Sequence, residues 1–159
     1  MSGIKIKSRA QLKGVLSRLK ARGKSIVFTN GCFDLLHYGH IKYLADAKRK
    51  GDILVVAINS DASVKRIKGR KRPIVKQLDR ARIIAALEAV DFVTIFNEDT
   101  PINVIKLLSP DVLVKGADWG KNRIVGNEFV SSYGGKILNI KLAKGRSTTN
   151  LLSKIAKSF

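Results

Sequence analysis

Short, strongly apolar stretches alternate along this chain with segments whose apolar residues recur every three or four positions. The stretch "DILVVAINSD" (52–61) is almost continuously apolar, the pattern of a strand covered on both faces in a parallel sheet. "SIVFTNG" (25–31), "DFVTIF" (91–96), "DVLVKG" (111–116) and "GKILNIKL" (135–142) read as further strands. Ahead of them, Ser8 caps a helix that places Leu12, Val15, Leu16 and Leu19 on one face and stops at Gly23. A second helix is predicted over 39–50, with Ile41, Leu44 and Ala45 inward and Gly51 as its stop. A basic loop closing at Pro73 precedes a helix over 79–89, and "PINVIKLLS" (101–109) gives another. After a looser stretch, "STTNLLSKIAKSF" (147–159) gives the last helix, with Ser147 as its N-cap. Strands alternating with helices predict right-handed crossovers, and so an α/β fold with a doubly wound parallel sheet in a single domain. Ligands of such sheets sit beyond the carboxyl ends of the strands, where strand order reverses. "TNGCFDLLHYGH", "NSD" and "KGADW" all lie at predicted strand ends.

Composition narrows the setting. A chain of 159 residues with 45% hydrophobic content suits one compact domain, divided here into a helical extension (1–23) packed on a main body (24–159). The lone Cys32 excludes an internal disulfide and any multi-cysteine metal site, which suits a reducing cytoplasm. The start of the chain lacks the apolar core of a signal peptide, and no run is long enough to span a bilayer, so the expectation is a soluble cytoplasmic protein without membrane insertion. The 31 Lys and Arg against 12 Asp and Glu give a formal charge of +19, which attracts nucleic acid, acidic lipid or phosphate-rich substrates alike. Only "KRIKGRKR" (65–72) is dense enough to suggest a phosphate site, and it reads equally well as an exposed loop. A nucleic-acid-binding module is the less favoured reading, because aromatic residues make up only 6% of the chain and no stacking platform interleaves with the basic residues.

The candidate chemistry centres on "FTNGCFDLLHYGHIKYL" (28–44). His37 and His40 lie three apart at a strand-to-helix junction, with Gly39 between them allowing a tight turn or a close ligand approach. A helix N-terminus offers unpaired N–H groups and partial positive charge to a phosphate, and two imidazoles there add directed donors. That arrangement suits a phosphoryl-transfer transition state, whose extra negative charge is stabilised by preorganised donors without a covalent step.

"HYGH" within "GCFDLLHYGH" resembles the HxGH signature of the cytidylyltransferase-like nucleotidyltransferases, and "RSTT" (146–149) resembles their second signature, which opens the last helix. The finer resemblance is to D-glycero-β-D-manno-heptose 1-phosphate adenylyltransferases. It runs over 24–155 through "INSDASVKRIKG", "RPI", "ALEAVDFV", "EDTP", "PDVLVKGADW" and "RSTTNLL". No sugar-kinase domain accompanies these motifs, so the stand-alone form is expected. The resemblance implies a Rossmann-like HxGH nucleotidyltransferase fold and transfer of AMP from ATP, with Mg²⁺, to a heptose 1-phosphate. The products would be pyrophosphate and ADP-heptose, a precursor of lipopolysaccharide or surface glycan. It also implies a homodimer or higher homo-oligomer with no specific nucleic-acid partner.

Carried onto this sequence, His37, His40 and Lys68 would be catalytic, with Lys68 near the sugar phosphate or leaving group. Thr29, Asn30, Gly31, Phe33, Arg80, Lys115, Gly116, Ser147, Thr148 and Thr149 would bind the nucleotide. Asp34, Asp61 and Asp118 would face the acceptor. No metal-ligating set is expected. Each has a blander reading: Asp34 and Asp61 as turn or cap residues, Arg80 as a solvated helix charge, Cys32 as a packing residue, Trp119 as cover for the sheet edge. Leu142 stands where glycerol-3-phosphate cytidylyltransferases carry an arginine, which argues against that branch. Ala117 in "GAD" replaces a common glycine, and Arg146 replaces a common cysteine. A different acceptor or nucleotide, such as glycerol 3-phosphate with CTP or a GDP-heptose type of reaction, is the alternative within the same fold.

Overall fold

The computed structural model describes residues 2–116, 124–141 and 148–158. Five strands form one parallel sheet in the order β3-β2-β1-β4-β5: β1 (Ile26–Gly31), β2 (Ile53–Asn59), β3 (Phe92–Phe96), β4 (Val112–Gly116) and β5 (Lys136–Ile140). From β1 the chain winds outward through β2 to β3, then returns to the other side of β1 for β4 and β5. Order therefore reverses between β1 and β4, and the crevice at their carboxyl ends is where this fold places ligands.

Alternate strand residues explain the uniformly apolar runs. Val27, Leu54, Val56, Ile58 and Val93 point into one core, shared with Leu44 and Ala47 of α3 (Tyr38–Lys48) and Ile84 of α5 (Gln77–Ala85). Ile26, Phe28, Val55, Ala57 and Leu113 point into the opposite core, with Leu12 and Leu16 of α2 (Arg9–Ala21) and Val104 and Ile105 of α6 (Ile102–Leu108). Both faces are covered, so neither tolerates a polar alternation. Ser8 and Gln11 form a reciprocal capping box at the start of α2. Just before it, in and after α1 (Ser2–Lys5), Lys5 donates 2.7 Å to the Val90 carbonyl and Ile6 bridges Val93 on edge strand β3.

The elements depart from the sequence pattern at definite places. Residues expected as part of a basic loop form α4 (Asp61–Lys68), which is capped by Ser60 and buries only Ser63 and Val64. So little apolar surface leaves no stripe to read. α7 (Asn127–Ser132) lies in the stretch expected to be loose and buries Val130 alone. α5 begins two residues before the expected start and ends four residues early, because the Ala86 and Leu87 N–H groups turn back to carbonyls of the last turn. Ile41, expected inward, is 44% exposed, and Tyr43 takes the inward position instead. The Tyr43 hydroxyl bonds the Thr29 hydroxyl at 2.7 Å and donates to the Val114 carbonyl at 3.2 Å, so a polar tip ties α3 to β1 and β4. The last helix is α8 (Thr148–Ser158). Among the described residues no helix is long and apolar enough to cross a membrane.

Candidate active site

A cleft of about 660 Å³ opens at the carboxyl ends of β1, β2 and β4. Its floor is Asn30, Gly31, Cys32, Phe33 and Asp34, with His40 beside them. Along the β4 side run Lys115, Gly116, Ile124, Val125 and Thr148; along the β2 and β3 side run Asn59, Ile67, Lys68, Arg72 and Asp99 to Pro101.

The N-terminus of α3 is built by its own sequence. His37 is the N-cap in extended conformation, and its carbonyl accepts the His40 N–H at 2.9 Å. The two imidazoles stack with centroids 3.9 Å apart and 20° between planes, and Phe33 meets His40 edge-on at 5.3 Å. Phe33 holds this place at the cost of a left-handed backbone (φ 46), a conformation that L-residues keep only when the surroundings impose it. Gly31 leaves room for the ring, since a Cβ there would sit 3.0 Å from Phe33 Cε2. Burial, reinforced by the neighbouring His37 ring, pulls His40 down to about 4, so it is neutral at pH 7 in the free protein. Its Nδ1 is buried with no hydrogen-bond partner among the described residues. His40 lines the cleft, whereas His37 lies against His40 outside the lining.

Across the cleft, Lys115 at the end of β4 donates to the Asn30 side-chain oxygen on β1 and has no carboxylate partner among the described residues. Burial pulls this ammonium down to about 8. Lys68, exposed at the end of α4, also lines the cleft and has no carboxylate partner among the described residues. A phosphate entering the cleft would supply a counter-charge to both ammonium groups.

Several expected ligand contacts are instead internal. Thr29 is fully buried and spends its hydroxyl on Tyr43. Arg80, expected to touch phosphate, is 1% exposed and faces the protein interior. Its guanidinium donates to the carbonyls of Cys32, Val75 (2.9 Å) and Asn59 (2.9 Å) and to Asp61 Oδ1 (2.8 Å). With its donors committed to the ends of β1 and β2, Arg80 holds the floor of the site together and does not enter the cleft. Asp61 is correspondingly engaged by Arg80 and lies outside the lining.

Asp34 does line the cleft, but its carboxylate accepts from Arg72 Nε (2.6 Å), Ile74 N–H (2.8 Å) and Val75 N–H (2.9 Å). Burial pushes its pKa up, yet these three donors hold it below the usual carboxylate range. Thr148 lines the cleft and bonds the Leu35 carbonyl at 3.4 Å; Thr149 is in α8, with its side chain outside the described residues. Ser147, Asp118, Ala117, Trp119, Arg146 and Leu142 lie outside the described residues. Sequence reasoning missed Arg72, Asn59, Ile124, Val125 and the Asp99–Thr100 edge as cleft residues. Asn59, Arg72 and the 99–100 pair stand inside "NSD", "RPI" and "EDTP", so the signal was present without a role attached, whereas Ile124 and Val125 carry no motif.

The cytidylyltransferase-like family model matches residues 28–153. The chain is 53% identical over 158 residues to the bifunctional protein HldE of Geobacter metallireducens, covering 99% of this chain and 32% of that protein. It is 56% identical over 140 residues to the bifunctional protein HldE of Campylobacter fetus subsp. fetus, covering 88% and 30%. The chain thus spans about a third of the length of the curated relatives it matches. Among solved structures it resembles a lipopolysaccharide core biosynthesis protein from Thermoplasma volcanium, with TM-score 0.62 and 29% identity over 78% of this chain and all of that one. With a parallel sheet that reverses at the crevice, a histidine pair at the helix start beside it and a family match over most of its length, the chain belongs to the cytidylyltransferase-like family of nucleotidyltransferases.

Proposed function

We propose that this chain transfers AMP from ATP to D-glycero-β-D-manno-heptose 1-phosphate, forming ADP-heptose and pyrophosphate for a lipopolysaccharide or surface-glycan precursor. The carrying observation is a cleft lined by His40 near the start of α3 and by Lys68 and Lys115, neither lysine having a carboxylate partner among the described residues. The identity to HldE proteins over nearly the whole chain, and the likeness to a protein named for lipopolysaccharide core biosynthesis, support the choice of heptose.

In this reading a phosphate oxygen of the acceptor attacks the α-phosphorus of ATP in line. The bond from the α-phosphorus to the oxygen bridging it to the β-phosphate breaks, and pyrophosphate leaves with that electron pair. The helix N-terminus and His40 hold the charge that builds on the phosphoryl oxygens. Ile124 and Val125 give the β4 side an apolar wall for the base, Lys115 meets the nucleotide phosphates, and Lys68 meets the phosphate charge on the opposite side. Mg²⁺ is a hard cation that prefers phosphate oxygens and would arrive with the nucleotide. The reading further takes the protein to work in the cytoplasm as a homo-oligomer, without a specific nucleic-acid partner.

The test is pyrophosphate release with ATP, CTP and GTP against heptose 1-phosphate, glucose 1-phosphate and glycerol 3-phosphate under Mg²⁺. ATP with heptose 1-phosphate is expected to give the highest kcat/KM. Faster turnover with CTP or with glycerol 3-phosphate would overturn the assignment while leaving the family intact.

A further inference from the structure

The pairing of Asp34 with Arg72 has a geometry that an ordinary surface ion pair lacks. Asp34 is 3% exposed and is fixed by three donors, two of them backbone N–H groups of Ile74 and Val75, so it cannot swing to follow a partner. Arg72 gives it only Nε, at 2.6 Å. Neither terminal guanidinium nitrogen of Arg72 has a partner among the described residues, and the side chain is 21% exposed and lines the cleft. A guanidinium gripped by one edge leaves its other edge as a two-pronged fork, the shape that binds a phosphate bidentately.

The two sides of the cleft decide which phosphate this fork meets. Ile124 and Val125, the apolar surface that a base requires, lie with Lys115 and Thr148 on the β4 side. The side of Arg72 instead carries Lys68, Asn59, Asp99 and Thr100 together with Ile67 and Pro101, a wall whose charged and hydroxyl groups suit a hydroxylated phosphomonoester. His40 lies with the floor residues that join the two sides. A nucleotide seated with its base at Ile124 and its phosphates over His40 leaves the Arg72 side open for the second substrate.

We propose that Arg72 binds the phosphate of the acceptor, and that Asp34 is a positioning residue that fixes the guanidinium so that its free edge faces the cleft. The proposal rests on the nucleotidyltransferase reading above and adds the residue that distinguishes the acceptor side from the nucleotide side.

The experiment uses the whole chain with Arg72→Lys, Arg72→Gln and Asp34→Asn. KM for heptose 1-phosphate and KM for ATP are measured separately, each with the other substrate saturating. Arg72→Gln is expected to raise KM for the acceptor at least tenfold and to leave KM for ATP within about threefold. Arg72→Lys, which keeps the charge and loses the fork, should recover only part of the loss. Asp34→Asn should shift the same constant in the same direction, and the Arg72→Gln, Asp34→Asn double variant should add little to Arg72→Gln alone. Equal rises in both KM values would place Arg72 at the nucleotide or in a purely structural role, and an unchanged acceptor KM would exclude it from the site; either result overturns the proposal.

Inorganic phosphate titrated calorimetrically onto protein saturated with a non-hydrolysable ATP analogue gives a readout independent of turnover. Loss of that binding in Arg72→Gln, with melting temperature preserved, supports the fork, and undiminished binding refutes it. Failure of the unsubstituted protein to release pyrophosphate with any acceptor would instead refute the proposed function and leave the phosphate titration to judge Arg72.

Discussion

Replacing Lys115 by Met should inactivate the cleft and yet leave the protein as stable as before, or more so, at neutral pH. The ammonium is brought from 10.5 to about 8 by burial, with Asn30 as its hydrogen-bond partner. At about 1.4 kcal/mol per pKa unit, holding that buried charge costs the fold about 3 kcal/mol below pH 8. Met fills most of the same volume and removes that cost, but leaves the Asn30 side-chain oxygen without its donor, returning about 1–3 kcal/mol. The balance is a stability change of about 0 to +2 kcal/mol, upward in sign. The sign with pH follows: a cationic group whose pKa is depressed on folding binds fewer protons folded than unfolded, so stability of the unsubstituted protein should rise from pH 8 towards 10.5. In Lys115→Met that rise should vanish. Binding gives the complementary signal. If a nucleotide phosphate restores the ammonium, about one proton is taken up per ATP bound at pH 9 and only about a tenth of one at pH 7, so affinity falls about tenfold between those values. Calorimetric titration in buffers of differing ionisation enthalpy counts the protons, and differential scanning calorimetry gives the stability. Lys115→Met losing several kcal/mol of stability, or keeping the proton uptake at pH 9, would refute the reasoning.

His40→Ala should lower turnover by about 10²- to 10³-fold while the protein stays folded, since it removes a donor to transition-state charge. Because His40 falls to about 4 in the fold, it costs stability as pH drops from about 6.5 to 4, and His40→Ala should flatten that limb in acid titrations followed by circular dichroism. Arg80→Met should cost about 3 kcal/mol by stranding buried carbonyls and the Asp61 carboxylate; an unchanged melting temperature with a raised KM for ATP would restore the phosphate role implied by resemblance. Gly31→Ala should displace the Phe33 ring and reduce kcat with only a modest fall in melting temperature, both read from one preparation. Despite the +19 charge, binding to random-sequence DNA should be weak and vanish near physiological salt in a fluorescence-anisotropy titration.

What could be read from the sequence was whatever burial alone dictates. The five strands were visible because both faces of the sheet are covered, so Val55 and Val56 point oppositely and are equally dry. α4 was invisible for the converse reason: eight residues that bury a serine and a valine leave no periodic trace, and four of the eight basic-run residues that suggested a loop turn out to be its C-terminal end. At Ile41 and Tyr43 hydrophobic ranking chose the wrong neighbour, because the inward position needed a ring long enough to carry a hydroxyl to Thr29 and Val114.

The site residues divide along a different line. The histidine pair, Asn30, Phe33 and Lys115 lie within short motifs, and their chemistry follows from local geometry at strand ends and a helix start. The roles of Asp34, although it stands inside the same motif, and of Arg80 do not follow locally, because the sequence shows a charge but not whether its partner belongs to the protein or to a ligand. Asp34 finds its partners at positions 72 to 75, and Arg80 reaches back to Cys32 and Asn59, each across a span that only the folded sheet closes. Both internal pairings tie the segment after α4 to the end of β1, so the two charges that resemblance sent to the substrate hold the wall on which Arg72 stands. Charge around the cleft therefore serves two purposes that the composition cannot separate: Lys68 and Lys115 line the cleft with no acidic partner among the described residues, while Arg80 spends its charge on keeping that cleft in shape.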